Sequence, residues 1–105
     1  MNIEAVNTLE IRFFEAADAL FERRLHSFAF RFEEAPGCLG YVVSRSPAES
    51  NLWILSGYWS SASDMTLHFS STHMTQLVNA LIEARANLTF ASFTPLMDEA
   101  AQDEV

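Results

Sequence analysis

The sequence predicts an α+β domain of the ferredoxin-like class, ordered βαββαβ around one four-stranded antiparallel sheet. Two observations predict it. The hydrophobic period runs from strand-like to helical, then to two strand-like segments in succession, then helical, then strand-like again. A short turn joins the second and third strand-like runs, which makes them a hairpin rather than a crossover. A third observation concerns assembly. The third strand is apolar on both faces, and helices cover only one face of a small sheet. The other face needs a cover of its own, and a second copy of the chain is the simplest one.

The elements follow in order. Residues Ile3 to Phe13 read as a strand, with Ile3, Ala5, Asn7, Leu9 and Ile11 on one face. From Ala16 to Glu34 the spacing is helical: Leu20, Phe21, Leu25, Phe28 and Phe32 form an apolar stripe, and Glu22, Arg23, Arg24 and Arg31 lie opposite. Phe30 falls off that stripe, as a partner surface or a stray. Pro36-Gly37 stops the helix. Cys38 to Ser46 is the second strand, Pro47 to Ser50 the turn, and Asn51 to Trp59 the third strand. Leu52, Ile54 and Tyr58 take one face of the third strand; Trp53, Leu55 and Trp59 take the other.

Ser61 or Ser63 can cap a short helix that places Met65, His68 and Phe69 on one side. Ser70-Ser71-Thr72 interrupts it and can cap a second helix, Thr72 to Ala86, with Met74, Leu77, Val78, Leu81 and Ile82 as its stripe. Asn87 is the expected C-cap, Leu88 to Thr94 the last strand, and Pro95 its end. The expected organisation is one domain over residues 1–95 and a disordered acidic tail over 96–105.

Composition excludes several classes of function. The chain has 105 residues, half of them apolar, nine Phe and a formal charge of -8. No lysine occurs, so Schiff-base chemistry through lysine is excluded, and no basic stripe offers a nucleic-acid surface. Four of the acids, Asp98, Glu99, Asp103 and Glu104, sit in the tail, so the body is only mildly acidic. No apolar run approaches the roughly 18 residues of a membrane span, and the N-terminus lacks the pattern of a signal peptide. Cys38 stands alone, which forbids an intrachain disulfide or thiolate cluster and fits a reducing cytoplasm.

The stretch "HFSSTH" holds His68 and His73. A zinc-binding pair on a helix is spaced by four; a spacing of five turns the second ring by about 140°. No HExxH motif, cysteine set or acidic triad completes a site, so no metal is expected. As an acid/base group His68 is the better candidate, because it shares an apolar face with Met65 and Phe69. The plainer reading of either histidine is structural, and His26 reads as a surface residue. Asn7 is disfavoured in a strand by propensity, which points toward a role such as holding a substrate oxyanion. Tyr41, Tyr58 and Trp59 can line an aromatic pocket or simply pack. Cys38 reads as a small buried hydrophobe. The serines between Ser44 and Ser71 form no Gly-x-Ser-x-Gly elbow and read as turns and caps.

Residues 36–46, "PGCLGYVVSRS", followed by 51–78, "NLWILSGYWSSASDMTLHFSSTHMTQLV", resemble the antibiotic biosynthesis monooxygenase domain. The shared pattern is Pro-Gly-Cys, a Trp ending the third strand, a Ser just after it, and two histidines beyond. Trp59, Ser60, His68 and His73 occupy those places. The resemblance implies a dimeric α+β barrel, two copies joined through their sheet faces. It also implies oxidation of a quinol or similar small aromatic with O2 and without cofactor. His68 would be the base and Asn7 the orienting group; Tyr41, Tyr58, Trp59 and His73 would meet the substrate. Two departures stand out. Relatives carry an acid two places before the Trp, where this chain has Gly57, and haem-degrading relatives carry an iron ligand where this chain has Leu77-Val78. The alternative reading is a non-catalytic dimeric binder of a small apolar ligand. A haem-binding or haem-degrading role is disfavoured by the missing ligand.

Overall fold

The computed structural model describes residues 2–15 and 18–96. Seven elements follow one another: β1 (Ala5–Arg12), α1 (Ala19–Phe32), β2 (Cys38–Arg45), β3 (Leu52–Trp59), α2 (Ala62–Phe69), α3 (Thr72–Glu83) and β4 (Asn87–Phe93). The strands form one antiparallel sheet in the order β2-β3-β1-β4. This is the expected ferredoxin-like arrangement. The tail expected from residue 96 onward lies, beyond Leu96, outside the described residues, as does the expected helix start at Ala16.

Burial alternates along β1 and β3, and the alternation sorts the sheet into two faces. Ala5, Asn7, Leu9 and Ile11 face the helices with Trp53, Leu55, Gly57 and Trp59. The helices complete the core with Leu25, Ala29 and Phe32 from α1, Met65 and His68 from α2, and Met74, Leu77 and Leu81 from α3. Leu20, expected in the stripe of α1, is exposed, and Ala29 takes a buried place the stripe did not include. Asp18 caps α1 by accepting from the Phe21 amide, so Leu20 lies in the first turn, where Phe21 rather than Leu20 packs against the core.

The opposite face carries Val6, Thr8 and Glu10 from β1, Ile54, Ser56 and Tyr58 from β3, Val42 and Ser44 from β2, and Ala91 and Phe93 from β4. Val6, Tyr58 and Phe93 form one cross-strand row. No element of this chain covers that face among the described residues.

Two local features shape the functional region. The first is a bulge in β2. Cys38 pairs with Trp59 and Gly40 with Tyr58, so Leu39 is an extra residue in the ladder. Cys38 and Tyr41 therefore share the helix-covered face although they are three positions apart. The second is the turn before β2. Gly37 has φ 80°, a conformation suited to glycine, and a Cβ there would collide with the Asp64 side chain. Its carbonyl accepts from the Ser60 amide at 2.9 Å, which ties the start of β2 to the end of β3.

Helix α3 ends differently from expectation. Asn87 is the first residue of β4 rather than a cap. Arg85 takes the left-handed conformation, φ 60°, with Arg85 N–H donating to Ile82 O and Ala86 N–H to Leu81 O. That pair of bonds is a Schellman ending with Arg in the place usually held by Gly.

Candidate active site: a buried polar relay ending on His68

Four polar groups from four elements meet between the sheet and the helices. Trp59 Nε1 donates to Asn7 Oδ1 at 2.7 Å. Asn7 Nδ2 donates to the Tyr41 hydroxyl at 2.9 Å. The Tyr41 hydroxyl lies 3.0 Å from His68 Nε2. All four residues are buried, and the surroundings are apolar and aromatic. The His68 ring meets Phe32 edge-on at 4.6 Å between centroids and lies 4.9 Å from the Trp59 ring.

The register explains why these residues meet. Asn7, Gly57 and Tyr41 lie directly opposite one another on neighbouring strands. A side chain at the middle position would fill the space between the outer two. A Cβ on Gly57 would fall on Asn7 Oδ1, 2.5 Å from Tyr41 Cε2 and 3.0 Å from Trp59 Nε1. Gly57 is thus the gap across which Asn7 reaches Tyr41. Helix α2, fixed by the Ser61 cap on the Asp64 amide, brings His68 down onto the Tyr41 hydroxyl.

Chemistry gives the relay a direction. An indole N–H can only donate, so it holds the oxygen of the Asn7 amide toward Trp59. The amide nitrogen then faces Tyr41, and the Tyr41 oxygen must accept there. Its own proton is left for His68 Nε2. The arrangement that gives every proton a partner has the imidazole accepting at Nε2 and carrying its proton on Nδ1, since the other neutral tautomer leaves the Tyr41 proton unpaired. A doubly protonated ring would leave two donors facing one hydroxyl and strand the Tyr41 proton. Burial acts in the same sense and pulls the His68 pKa down to about 4, so the ring is neutral at pH 7. Burial pushes the Tyr41 hydroxyl up to about 12 against the opposing hydrogen bond from Asn7, so it stays protonated. It also raises the Cys38 thiol, which keeps that group protonated.

Four of the expected site residues, Asn7, Tyr41, Trp59 and His68, are thus in one cluster. His73 is exposed, in the first turn of α3, and lines the same small cleft as His68. Tyr58 is not part of the cluster: strand alternation puts it on the opposite face, beside Val6 and Phe93. Among the described residues, no group of three or more His, Cys, Asp or Glu is placed to hold a metal ion. Nor is any described helix long and apolar enough to cross a membrane. Sequence reasoning missed Gly57 as a spacer and noted only that an acid was lacking there. It also missed Phe32 as the ring against His68.

A ferredoxin-like sheet with a polar relay buried between sheet and helices defines a small α+β protein with a candidate site at the His68 cleft. The chain belongs to the antibiotic biosynthesis monooxygenase family, whose sequence profile matches residues 5–80. No curated protein matches it by sequence. Its fold is similar to that of a putative antibiotic biosynthesis monooxygenase from Deinococcus radiodurans, at 18% identity and TM-score 0.72, over 89% of this chain and 93% of that one. It is also similar to SnoaB of Streptomyces nogalater, a cofactor-independent oxygenase, at 17% identity and TM-score 0.73, over 90% and 95%. PA3566 of Pseudomonas aeruginosa matches at 18% identity and TM-score 0.74, over 92% and 98%.

Proposed function

We propose that this protein is a cofactor-independent monooxygenase that oxidises a small aromatic or quinol with O2. The observation that carries the reading is the buried relay from Trp59 through Asn7 and Tyr41 to a neutral His68. Family membership supports it, and so does the likeness in fold to a cofactor-independent oxygenase.

The chemistry asks for little. A phenol or hydroquinone must lose its proton, because the anion gives an electron to O2 far more readily than the neutral form does. The site must also be dry, to hold the reduced oxygen beside the oxidised ring. His68 is the group we set against the substrate oxygen. A ring with pKa about 4 is a weak base for a phenol, and its acceptor nitrogen is already occupied by Tyr41. Its stronger contribution is the Nδ1 proton, donated to the oxygen as charge develops on it. On this reading His68 serves as an oxyanion donor rather than a base, and the substrate proton passes to His73 on the same cleft. Asn7 acts through Tyr41, because Trp59 and Tyr41 occupy both ends of its amide.

Oxygen uptake with a panel of phenols and hydroquinones tests this reading. The wild type is expected to turn over at least one of them in the presence of a chelator, and His68→Ala to lose most of that rate. Full turnover by His68→Ala would remove His68 from the mechanism, and no uptake with any substrate would favour the second reading.

That second reading is a non-catalytic binder of small apolar ligands. The feature favouring it is an apolar groove of about 430 Å³ between α3 and β4, lined by Phe69, Met74, Val78, Phe90, Ala91 and Ser92. Both readings take the protein as a homodimer joined through the sheet face that carries Val6, Tyr58 and Phe93. A monomer by light scattering at micromolar concentration would refute that assembly.

A further inference from the structure

We propose that Tyr41 is a redox-active tyrosine, which gives one electron to an oxidant outside the fold while its phenolic proton crosses the 3.0 Å hydrogen bond to His68 Nε2. The inference stands apart from the oxygenase reading. It needs no substrate in the His68 cleft and no turnover.

A phenol holds its electron firmly while it keeps its proton, and once oxidised it is a strong acid. The electron leaves readily where a base already holds the hydrogen bond. Three observations put Tyr41 in that state. The first is the single exit for the proton. Trp59 Nε1 holds Asn7 Oδ1 at 2.7 Å, so Asn7 Nδ2 donates to the Tyr41 oxygen at 2.9 Å. The phenolic proton is left with one partner, the imidazole. With a pKa of about 4, His68 is a weak base toward a neutral phenol and an ample one toward an oxidised phenol.

The second observation is the hydrogen-bond count before and after. In the reduced state the Tyr41 oxygen accepts from Asn7 and donates to His68. The oxyl that remains after oxidation has no proton, so it accepts from Asn7 Nδ2 and from the new Nε2–H alike. Every donor keeps an acceptor, and no heavy atom has to move. The relay excludes a proton from Nε2 while Tyr41 is reduced and accommodates it once Tyr41 is oxidised.

The third observation is the enclosure. Tyr41 is 7% exposed, with its ring centroid 4.9 Å from that of Phe32 and 5.4 Å from that of His68. These rings keep a second radical away from the oxyl. The chain's other tyrosine supplies the contrast. Tyr58 is half-buried on the opposite sheet face, and among the described residues no base is hydrogen-bonded to its hydroxyl.

The step balances with an oxidant of the peroxyl-radical class. The peroxyl radical takes the electron from Tyr41 and a proton from solvent, and leaves as a hydroperoxide. The Tyr41 proton stays on His68 as imidazolium. A reductant of the hydroquinone or ascorbate class returns one electron, and Nε2 returns the proton, which restores the O–H bond.

The test is electron paramagnetic resonance on the full chain at pH 7, frozen after flash oxidation by photogenerated tris(bipyridine)ruthenium(III). Wild type and Tyr58→Phe should both give a tyrosyl signal, coupled to two exchangeable protons, one from Asn7 and one from His68. Tyr41→Phe should lose that signal. His68→Gln should slow its appearance by about a hundredfold or more, because an amide accepts the hydrogen bond and cannot take up the proton. A signal lost in Tyr58→Phe and kept in Tyr41→Phe would overturn the proposal. So would an unchanged rate in His68→Gln, or a radical without the exchangeable couplings. If Tyr41→Phe does not fold, the couplings and His68→Gln still decide.

Discussion

Acidification should unfold this protein in a way traceable to one ring. His68 has a pKa of about 4 in the folded chain against 6.5 for an unperturbed imidazole. Between those values the unfolded chain binds a proton that the folded chain refuses. The stabilisation is therefore complete above pH 6.5 and is lost as pH falls toward 4. For this shift the loss amounts to about 2 kcal/mol by pH 5 and about 3 kcal/mol by pH 4. That is a large part of the roughly 5–15 kcal/mol of a typical domain. Urea unfolding at steps from pH 7.5 to 4.5 measures it, with His68→Gln as the reference. Gln cannot titrate, and its side-chain oxygen can still accept from Tyr41. The wild type should lose stability faster than the variant over this range, and the gap between the two curves gives the histidine's share. An NMR titration of His68 should give a midpoint near 4. Parallel stability curves, or a midpoint near 6.5, would refute the buried neutral imidazole and with it the direction assigned to the relay.

Other substitutions probe the same region. Gly57→Ala should cost about 1–3 kcal/mol in urea unfolding, because its methyl falls on Asn7 and Tyr41. Gly40→Ala, with nothing within 4 Å of its Cβ, should stay within about 0.5 kcal/mol of wild type. Asn7→Ala should cost about 1–3 kcal/mol, because the Trp59 indole is left without an acceptor in the core. The same variant should free the Tyr41 hydroxyl to turn, visible as a changed His68 nitrogen spectrum. Arg85→Gly should stabilise by about 0.5–1 kcal/mol, read as a rise in the urea midpoint, because Arg holds a left-handed position that suits Gly.

The order of elements was legible because period and punctuation agreed along most of the chain. Pro36-Gly37, the serine caps and the alternation in the first and third strands each pointed to one boundary or one face. Asn7 stood out because strands disfavour it, and the relay gives the physical reason for its presence. What stayed hidden depended on contacts between distant residues. Gly57 read as a missing acid, because a single sequence does not show that Asn7 and Tyr41 flank it in register. The two tyrosines looked equivalent, yet one touches His68 and the other lies on the far side of the sheet. The Schellman ending was missed because its left-handed position is held by Arg85 rather than Gly. Leu39 left no mark either, since a bulge residue in an apolar run does not break any pattern.

That one extra residue decides which hydroxyl the imidazole meets. Strand sides are a matter of odd and even, and Leu39 switches the count for everything after it in β2. Pair Leu39 with Tyr58 in a regular ladder while Trp59 and Cys38 stay paired, and Tyr41 would turn outward as Val42 turned in. Every group of the relay could then still be present in the sequence, with the circuit open at its third member. A relative aligned without regard to this insertion would be assigned a tyrosine on the wrong side.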